Sequence, residues 1–308
     1  MTRIQQVQWE LEIDYIGHPY YVSGNAIYHA IAAATDGDIT YDLRASHGIF
    51  VPGDYGTYPD EHSQSGMKPY MGASLAEVEA YDDLFLFRQP DHSWLLDSRP
   101  RDAMNTHDVR TQHRNPALAH EMILGRPDDA HQSHKTISWY LHAYLHADDP
   151  DTLPLGEDVL DGLQFGGRRN YGYGMTQLQD SQVVDLESLD YSRLKDADDY
   201  LLELVTPYVL ESEYPGTDDN AVPWWWHLDH DDGLRRREER LVEQREAYRL
   251  ETVDHGQVVG YEGDTPIKTA KNGVVRTGSH SKYGFGEFRV KPITTENTRT
   301  TQNSDRNA

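Results

Sequence analysis

The chain has 308 residues, no cysteine and a formal net charge of -24, from 52 acidic and 28 basic side chains. The lack of cysteine excludes disulfides, thiolate metal ligands and a cysteine nucleophile. With 37% hydrophobic residues the chain can build a core, and its length fits two domains better than one.

The acidic residues are spread in short clusters, such as Asp82-Asp83 and Asp148-Asp149. This spread is typical of a solvated halophilic surface rather than of one acidic tail. In molar salt the Debye length is about 3 Å, so long-range repulsion of a nucleic acid is largely screened. No apolar run reaches the length of a membrane span, and no signal-peptide pattern is present, so we expect a cytoplasmic protein with no membrane partner.

In chain order, the first predicted elements are a strand and a helix. Residues 7–16 alternate apolar and polar side chains, which favours a half-buried strand. Ser23 can cap a helix from about Gly24 to Ala34. Residues 36–75 predict short strands, one of them over 48–51, joined by long polar loops.

Elements in the middle of the chain are less distinct. Residues 81–88 and 93–96 predict a strand pair, and residues 135–146 fit a strand or a helix. Residues 157–163 predict a short helix, and residues 175–186 predict a strand.

A second unit is predicted from near Tyr200, beginning with a strand that Pro207 confines to an edge or a bulge. Residues 234–250 are highly charged and carry Leu234, Leu241 and Tyr248 at helical spacing, which predicts an amphipathic helix. Its charges favour a salt-bridged, solvated face over an RNA site. The predicted elements that follow are short strands over 252–259, 266–270 and 273–276.

A glycine-rich stretch occurs twice, over residues 166–174 (GGRRNYGYG) and 278–286 (GSHSKYGFG), with matched positions 112 residues apart. In each copy a glycine opens a polar, basic segment that ends in Tyr-Gly-aromatic-Gly. Two such copies predict two related domains, each with one such loop.

The composition of these loops favours binding of RNA. Glycines let successive backbone N–H groups form a concave nest for phosphate. Arg168, Arg169 and Lys282 add positive charge at the rim. The aromatic rings offer faces on which bases can stack; they are Tyr171, Tyr173, Tyr283 and Phe285. The alternative for either loop is a tight turn whose tyrosines belong to the core.

A strand followed by Ser-Gly-x-x-Ile opening a helix (residues 23–27), with the later Gly-Gly-Arg-Arg-x-x-Gly-Tyr-Gly loop, resembles the RAMP superfamily of CRISPR-associated RNA-binding proteins. The resemblance covers roughly residues 7–34, 157–186 and 200–292. It implies an α+β fold of two ferredoxin-like domains that resemble RNA-recognition motifs, each with a glycine-rich loop before its last strand.

We predict three regions on this basis. Residues 1–195 form the N-terminal RAMP domain, which carries a long insertion rich in Pro, Tyr and Gly. Residues 196–292 form the C-terminal RAMP domain. Residues 293–308 have almost no apolar content and form a disordered tail.

The resemblance also implies partners and contact residues. The partners are CRISPR RNA and the other subunits of a CRISPR complex in antiviral defence, with no cofactor. The predicted RNA-binding residues are Gly166, Gly167, Arg168, Arg169, Tyr171, Gly172, Gly174, Gly278, Lys282, Tyr283, Gly284 and Gly286.

Three functions stay open at this stage. The leading one is a guide-RNA-binding subunit of an effector ribonucleoprotein complex. The second is a metal-independent endoribonuclease that processes precursor CRISPR RNA, with His29 as general base and Tyr21 and His18 close by in sequence. The third is a structural protein whose loops only make turns. The opening helix lacks a lysine that effector subunits often carry, which leaves the subfamily open.

Two further groups of residues have alternative interpretations. His131, His134, His142 and His146 suggest a metal site, but they lack an accompanying carboxylate, so we predict no metal. Residues 224–226 are three consecutive tryptophans that form either a stacking or protein-contact patch or part of the core.

Overall fold

The structure is a computed structural model that describes residues 2–12, 15, 17, 21–35, 42–53, 56–58, 61–63, 66–68, 73–88, 138–217, 221–228, 233–243, 246–276 and 280–293. The chain divides into two compact units. The first unit comprises Met1–Leu189 and Lys282–Gly284, and the second comprises Asp190–Ser281 and Phe285–Ala308. Both contain helices and antiparallel sheets, so the predicted α+β class is confirmed.

The first unit is built on one large antiparallel sheet. The strands are β1 (Arg3–Leu11), β2 (Tyr21–Val22), β3 (Leu43–Ala45), β4 (Gly48–Pro52), β5 (Gly56–Tyr58), β6 (Gly66–Lys68), β7 (Trp139–Ala147) and β8 (Thr176–Asp185). The α-helices are α1 (Gly24–Ala34) and α2 (Glu157–Leu160), and 3-10 turns cover Tyr81–Phe85 and Arg169–Tyr171. The sheet order is β2-β4-β7-β1-β8, β3 also pairs with β7, and β5 pairs with β6 apart from this sheet.

Strand β1 lies between β7 and the edge strand β8 of this sheet. It begins four residues earlier than the sequence predicts and ends at Leu11. Ile4, Val7 and Trp9 are fully buried. The Trp9 indole N–H donates to the carbonyl of Leu160 at 2.7 Å, which ties β1 to helix α2.

The helix predicted after Ser23 is present with the predicted bounds. The Ser23 hydroxyl accepts a hydrogen bond from the Ala26 N–H at 3.2 Å, as an N-cap does. The succession β1-α1-β4-β7-α2-β8, with spatial order β8-β1-β7-β4, is consistent with a ferredoxin-type βαββαβ unit.

The second unit contains two smaller antiparallel sheets. The strands are β9 (Tyr200–Leu204), β10 (Tyr208–Ser212), β11 (Trp226–His227), β12 (Arg236–Glu243), β13 (Glu246–Val253), β14 (Val258–Tyr261) and β15 (Phe288–Pro292). The α-helices are α3 (Ser192–Lys195) and α4 (Pro266–Val275), and a 3-10 turn covers Ser281–Tyr283, whose last two residues belong to the first unit. The sheet orders are β10-β13-β12 and β11-β14-β9-β15.

The helix predicted over residues 234–250 is wrong, because this segment is the hairpin of β12 and β13. Its charges pair across the strands rather than along a helix. Arg236 contacts Glu251 at 2.7 Å, and Arg249 contacts Glu238 at 3.0 Å. Cross-strand pairs of opposite charge stabilise a sheet much as i,i+4 pairs stabilise a helix.

The short strands predicted over 266–270 and 273–276 are also wrong, because helix α4 runs through both. Pro266 lies in its first turn, where a missing N–H costs nothing. Gly273 packs so closely on the final strand that an added Cβ would lie 2.3 Å from the carbonyl oxygen of Phe288.

The strand predicted from residue 81 is a 3-10 turn instead. The buried Asp83 carboxylate accepts hydrogen bonds from the amides of Glu79 and Ala80, which holds the chain in the turn. The predicted partner strand over 93–96 and the predicted tail lie outside the described residues. Within the described ranges, no helix has both the length and the apolar character needed to cross a bilayer.

Candidate nucleic-acid interface

The first glycine-rich loop, residues 166–174, is closed at its base by hydrogen bonds. The Phe165 N–H donates to the carbonyl of Gly174 at 3.0 Å. The Thr176 hydroxyl donates to the carbonyl of Leu163 at 2.8 Å. Gly174 has φ +71°, and an added Cβ would lie 1.9 Å from the Phe165 carbonyl oxygen, so this position requires glycine.

The apex of this loop is a 3-10 turn over Arg169–Tyr171. Arg168, at φ 53°, precedes the turn, and Gly172, at φ 88°, ends it. Both arginines are exposed, and the Tyr171 ring is 75% exposed. The loop therefore presents two guanidinium groups and an aromatic face to solvent.

The second loop repeats this backbone geometry at matched positions. A 3-10 turn covers Ser281–Tyr283, the equivalent of Arg169–Tyr171. Gly284 and Gly286 have φ 93° and 82°, as Gly172 and Gly174 have 88° and 71°. Gly278 lies outside the described residues.

The side chains of the second loop have different surroundings, since Lys282–Gly284 belong to the first unit. Tyr283 is only 7% exposed. Its ring meets Tyr28 edge-on at 5.5 Å and lies nearly parallel to the His29 imidazole, with ring centres 6.1 Å apart. The Lys282 Nζ lies 4.5 Å from the centre of the Tyr28 ring. A partly exposed imidazole and an ammonium group therefore share one patch of helix α1.

His47 lies at the beginning of the same helix. Its Nδ1 accepts a hydrogen bond from the Gly24 N–H at 3.0 Å. Its ring stacks on Tyr21, with centres 4.7 Å apart and planes 15° from parallel. An added Cβ on Gly284 would lie 2.3 Å from the His47 Nδ1. We call the following set the α1 site: Tyr21, Tyr28, His29, His47, Lys282, Tyr283 and Gly284.

Buried polar residues hold the backbone of the α1 site in place. The buried Arg88 guanidinium donates to the His47 carbonyl at 3.0 Å and lies 4.8 Å from the centre of the Tyr144 ring. Arg88 follows the 3-10 turn that Asp83 holds. Burial raises the pKa of Asp83, but hydrogen bonds from the Ser63 and Ala80 amides, the Ser63 hydroxyl and the Glu79 amide outweigh it, so the pKa is lowered.

The predicted catalytic and RNA-binding residues thus fall into two groups. Lys282, Tyr283 and Gly284 come together with His29 and Tyr21 in the α1 site. The first-loop residues instead form the solvent-facing loop described above. His18 lies outside the described residues.

No family model matches the chain, and no curated protein matches it. A solved structure described as "CRISPR associated protein Cas6" is similar, with a TM-score of 0.39 and 10% sequence identity over 94% of this chain and 100% of that chain. A likeness at this level carries no argument about function, which has to be inferred from the two loops and the α1 site.

The histidines of residues 135–146 do not form a chelating pair on a helix, because His142 and His146 lie in strand β7. Four residues along a strand span roughly 13 Å, too far for one ion. Burial, and secondarily the Arg88 charge, lowers the pKa of His142 to about 3, so this ring is neutral. Among the described side chains, no group of three His, Asp or Glu could hold a metal; His131 and His134 lie outside them.

The three consecutive tryptophans divide between the two interpretations. Trp226 is 5% exposed and belongs to the core of the second unit, whereas Trp224 is 79% exposed. Trp225 packs on Phe288, with ring centres 5.6 Å apart.

Sequence reasoning missed three residues of this region: Tyr28, His47 and Arg88. The available signal was the polar pair Ser46-His47 between two apolar, strand-like segments. A polar pair there needs hydrogen-bond partners once it is buried.

Proposed function

We propose that this chain is a CRISPR-associated RNA-binding protein of RAMP type that cleaves its RNA at the α1 site. The observation that carries the proposal is the contact of His29 with Tyr283 of the second glycine-rich loop, beside Lys282. It joins a candidate general base to the segment whose composition predicts RNA contact. The CRISPR context rests on the resemblance of the loops and of the α1 opening to RAMP proteins.

RNA carries its own nucleophile, so the reaction needs only a base, a cation and a proton donor. His29 removes the proton of a 2′-hydroxyl, and the 2′-oxygen attacks the adjacent phosphorus. The bond from phosphorus to the 5′-oxygen breaks, and that oxygen takes a proton, which we assign to the Tyr21 hydroxyl. The products are a 2′,3′-cyclic phosphate and a 5′-hydroxyl.

Lys282 suits the task of stabilising the negative charge that grows on the phosphate oxygens. Its ammonium group lies over the Tyr28 ring, and this cation–π contact orders it beside His29 without neutralising it. Arg168 and Arg169 are exposed and suited to binding the RNA backbone, and Tyr171 offers its exposed face to a base.

The test is incubation of the purified protein, in concentrated KCl with a chelator, with labelled RNA that carries a CRISPR repeat from the same genome. We expect discrete cleavage that leaves a 2′,3′-cyclic phosphate. His29→Ala should slow cleavage by about 100- to 10,000-fold, the usual contribution of a general base, and leave RNA affinity unchanged.

A matched control is His255→Ala, because His255 is an exposed histidine of the second unit. It should cleave as the wild-type protein does. Undiminished cleavage by the His29→Ala variant would remove His29 from the mechanism.

A second candidate is a guide-RNA-binding subunit of an effector complex that does not cleave. The exposed first loop favours it, since Arg168, Arg169 and Tyr171 are suited to binding whatever the α1 site does. RNA binding without cleavage, lost when Gly172 or Gly284 is replaced by a bulky residue, would support this function and its CRISPR partner subunits. If neither the isolated chain nor its complex binds RNA, both loops serve only as turns.

A further inference from the structure

We infer that His47 is a positioning residue of the α1 site. Its side chain fixes Tyr21, the beginning of helix α1 and Gly284 relative to one another. The reaction that His47 serves rests on the proposed function. The contacts of His47 are features of the structure and hold whatever that function is.

The His47 imidazole contacts three separate elements of the first unit. Nδ1 accepts the N–H of Gly24, the first residue of α1, at 3.0 Å. One face of the ring stacks on Tyr21. The Gly284 backbone approaches so closely that a Cβ there would be 2.3 Å from Nδ1 and 2.8 Å from the His47 N.

The ring can hold these three elements only because its own backbone is fixed. The His47 carbonyl accepts hydrogen bonds from Arg88 at 3.0 Å and from the Ser46 hydroxyl at 2.9 Å. The Ser46 hydroxyl in turn accepts the Tyr144 N–H of strand β7 at 2.8 Å. His47 is therefore anchored to the central sheet and is 2% exposed.

The chemistry of the contact also selects histidine. A nitrogen that accepts a backbone N–H carries no proton, so the neutral ring has its proton on Nε2. A flat ring is needed for the Tyr21 stack, and an acceptor is needed at the Nδ1 position for the first N–H of α1, which has no partner within the helix. Asparagine can place its Oδ1 near the Nδ1 position, whereas leucine of similar size cannot accept.

In the proposed reaction, the groups that reach the scissile phosphate belong to His29, Tyr21 and Lys282, and His47 only positions them. Loss of the His47 acceptor should therefore lower kcat through misplaced groups and leave RNA affinity nearly unchanged. A misplacement of about 1 Å can cost about 100-fold in rate.

The experiment compares His47→Leu and His47→Asn with the wild-type protein in two measurements. The first is hydrogen exchange of the Gly24 amide in the RNA-free protein. The second is multiple-turnover cleavage at saturating repeat RNA, which gives kcat, alongside the Kd for this RNA. In His47→Leu we expect Gly24 exchange about tenfold faster, the equivalent of one lost hydrogen bond, kcat about 10- to 100-fold lower and Kd within about twofold.

His47→Asn should restore slow exchange and should cleave faster than His47→Leu but slower than the wild-type protein, because it supplies the acceptor without the ring that stacks on Tyr21. Wild-type exchange and kcat in the folded Leu variant would overturn the inference, as would fast exchange in a folded Asn variant. If the Leu variant does not fold, the Asn variant decides. If the wild-type protein does not cleave, the proposed function fails separately, and Gly24 exchange still decides whether His47 holds helix α1.

Discussion

The two glycine-rich loops share a sequence pattern and a backbone but have opposite surroundings. Both contain a 3-10 turn followed by glycines in the left-handed region. The matched tyrosines differ, because Tyr171 is 75% exposed and Tyr283 is 7% exposed. The motif therefore sets the path of the chain, and the neighbours decide what each matched side chain does.

The difference has an identifiable origin in one glycine outside the motif. An added Cβ on Gly24 would lie 2.4 Å from the Tyr283 carbonyl oxygen, so glycine at the start of α1 is what admits the second loop. The first loop instead closes on its own base through the Phe165 and Gly174 backbones. One loop is free to meet a partner, and the other is part of a packed site.

The largest expected effect is a difference in stability between variants of the two matched tyrosines. Tyr283→Ala should lower the free energy of unfolding by about 2–4 kcal/mol, because it removes a buried ring that contacts both Tyr28 and His29. Tyr171→Ala should change it by no more than about 0.5 kcal/mol, because that ring packs on little. Unfolding in denaturant measures both, and equal losses would mean that the two loops are equivalent after all.

A smaller effect concerns the support behind the second loop. Asp83→Asn should cost about 2–3 kcal/mol, because an amide group would face the N–H donors of Ser63, Glu79 and Ala80. The pKa of Asp83 is lower when folded than its usual 3.8. Its contribution is therefore complete above that value and is lost as the pH falls through the folded pKa.

Unfolding of both proteins between about pH 6 and pH 3, at one KCl concentration, measures this contribution. The stability difference between wild type and Asp83→Asn should shrink as the pH falls. A difference that stays constant over this range would show that the Asp83 charge does not hold the turn.

The smallest effect concerns the first loop. Replacing Arg168 and Arg169 by glutamine should weaken RNA binding by about fivefold per arginine, or about 1 kcal/mol each, and should lower the salt dependence of binding by about one unit of log–log slope per arginine. Cleavage at saturating RNA should be unchanged. Lys195→Gln, at an exposed position of the second unit, is the control; an equal loss there would make the effect one of net charge.

Local chemistry made part of the fold predictable. The Ser23 cap and the α1 bounds follow from residues adjacent in sequence. The β12–β13 hairpin could not be recognised from the same kind of reasoning, because Leu234, Leu241 and Tyr248 fit a helical stripe and Arg and Glu favour helices. Pairing of β13 with β10 decides the outcome, and that information lies outside the segment.

The candidate site divides in the same way. The sequence singles out His29 and the second loop separately, and the residue types predict their chemistry. Nothing local predicts that Tyr283 packs on His29, because the two are far apart in the chain. The sequence does not reveal a role for His47, because a histidine between two strands has the same sequence pattern whether it positions a site or only packs in the core. The roles of these residues stay predictions.

The inclusion of Lys282–Gly284 in the first unit affects how the protein is made. Chains usually fold from the N-terminus as they leave the ribosome. Here β1 has to wait for β7 and β8, and helix α1 has to wait for residues that follow almost the whole second unit. A nascent chain that has not yet reached Gly284 exposes His29 without Lys282 and Tyr283, so the α1 site becomes complete only after almost all of the second unit has been synthesised.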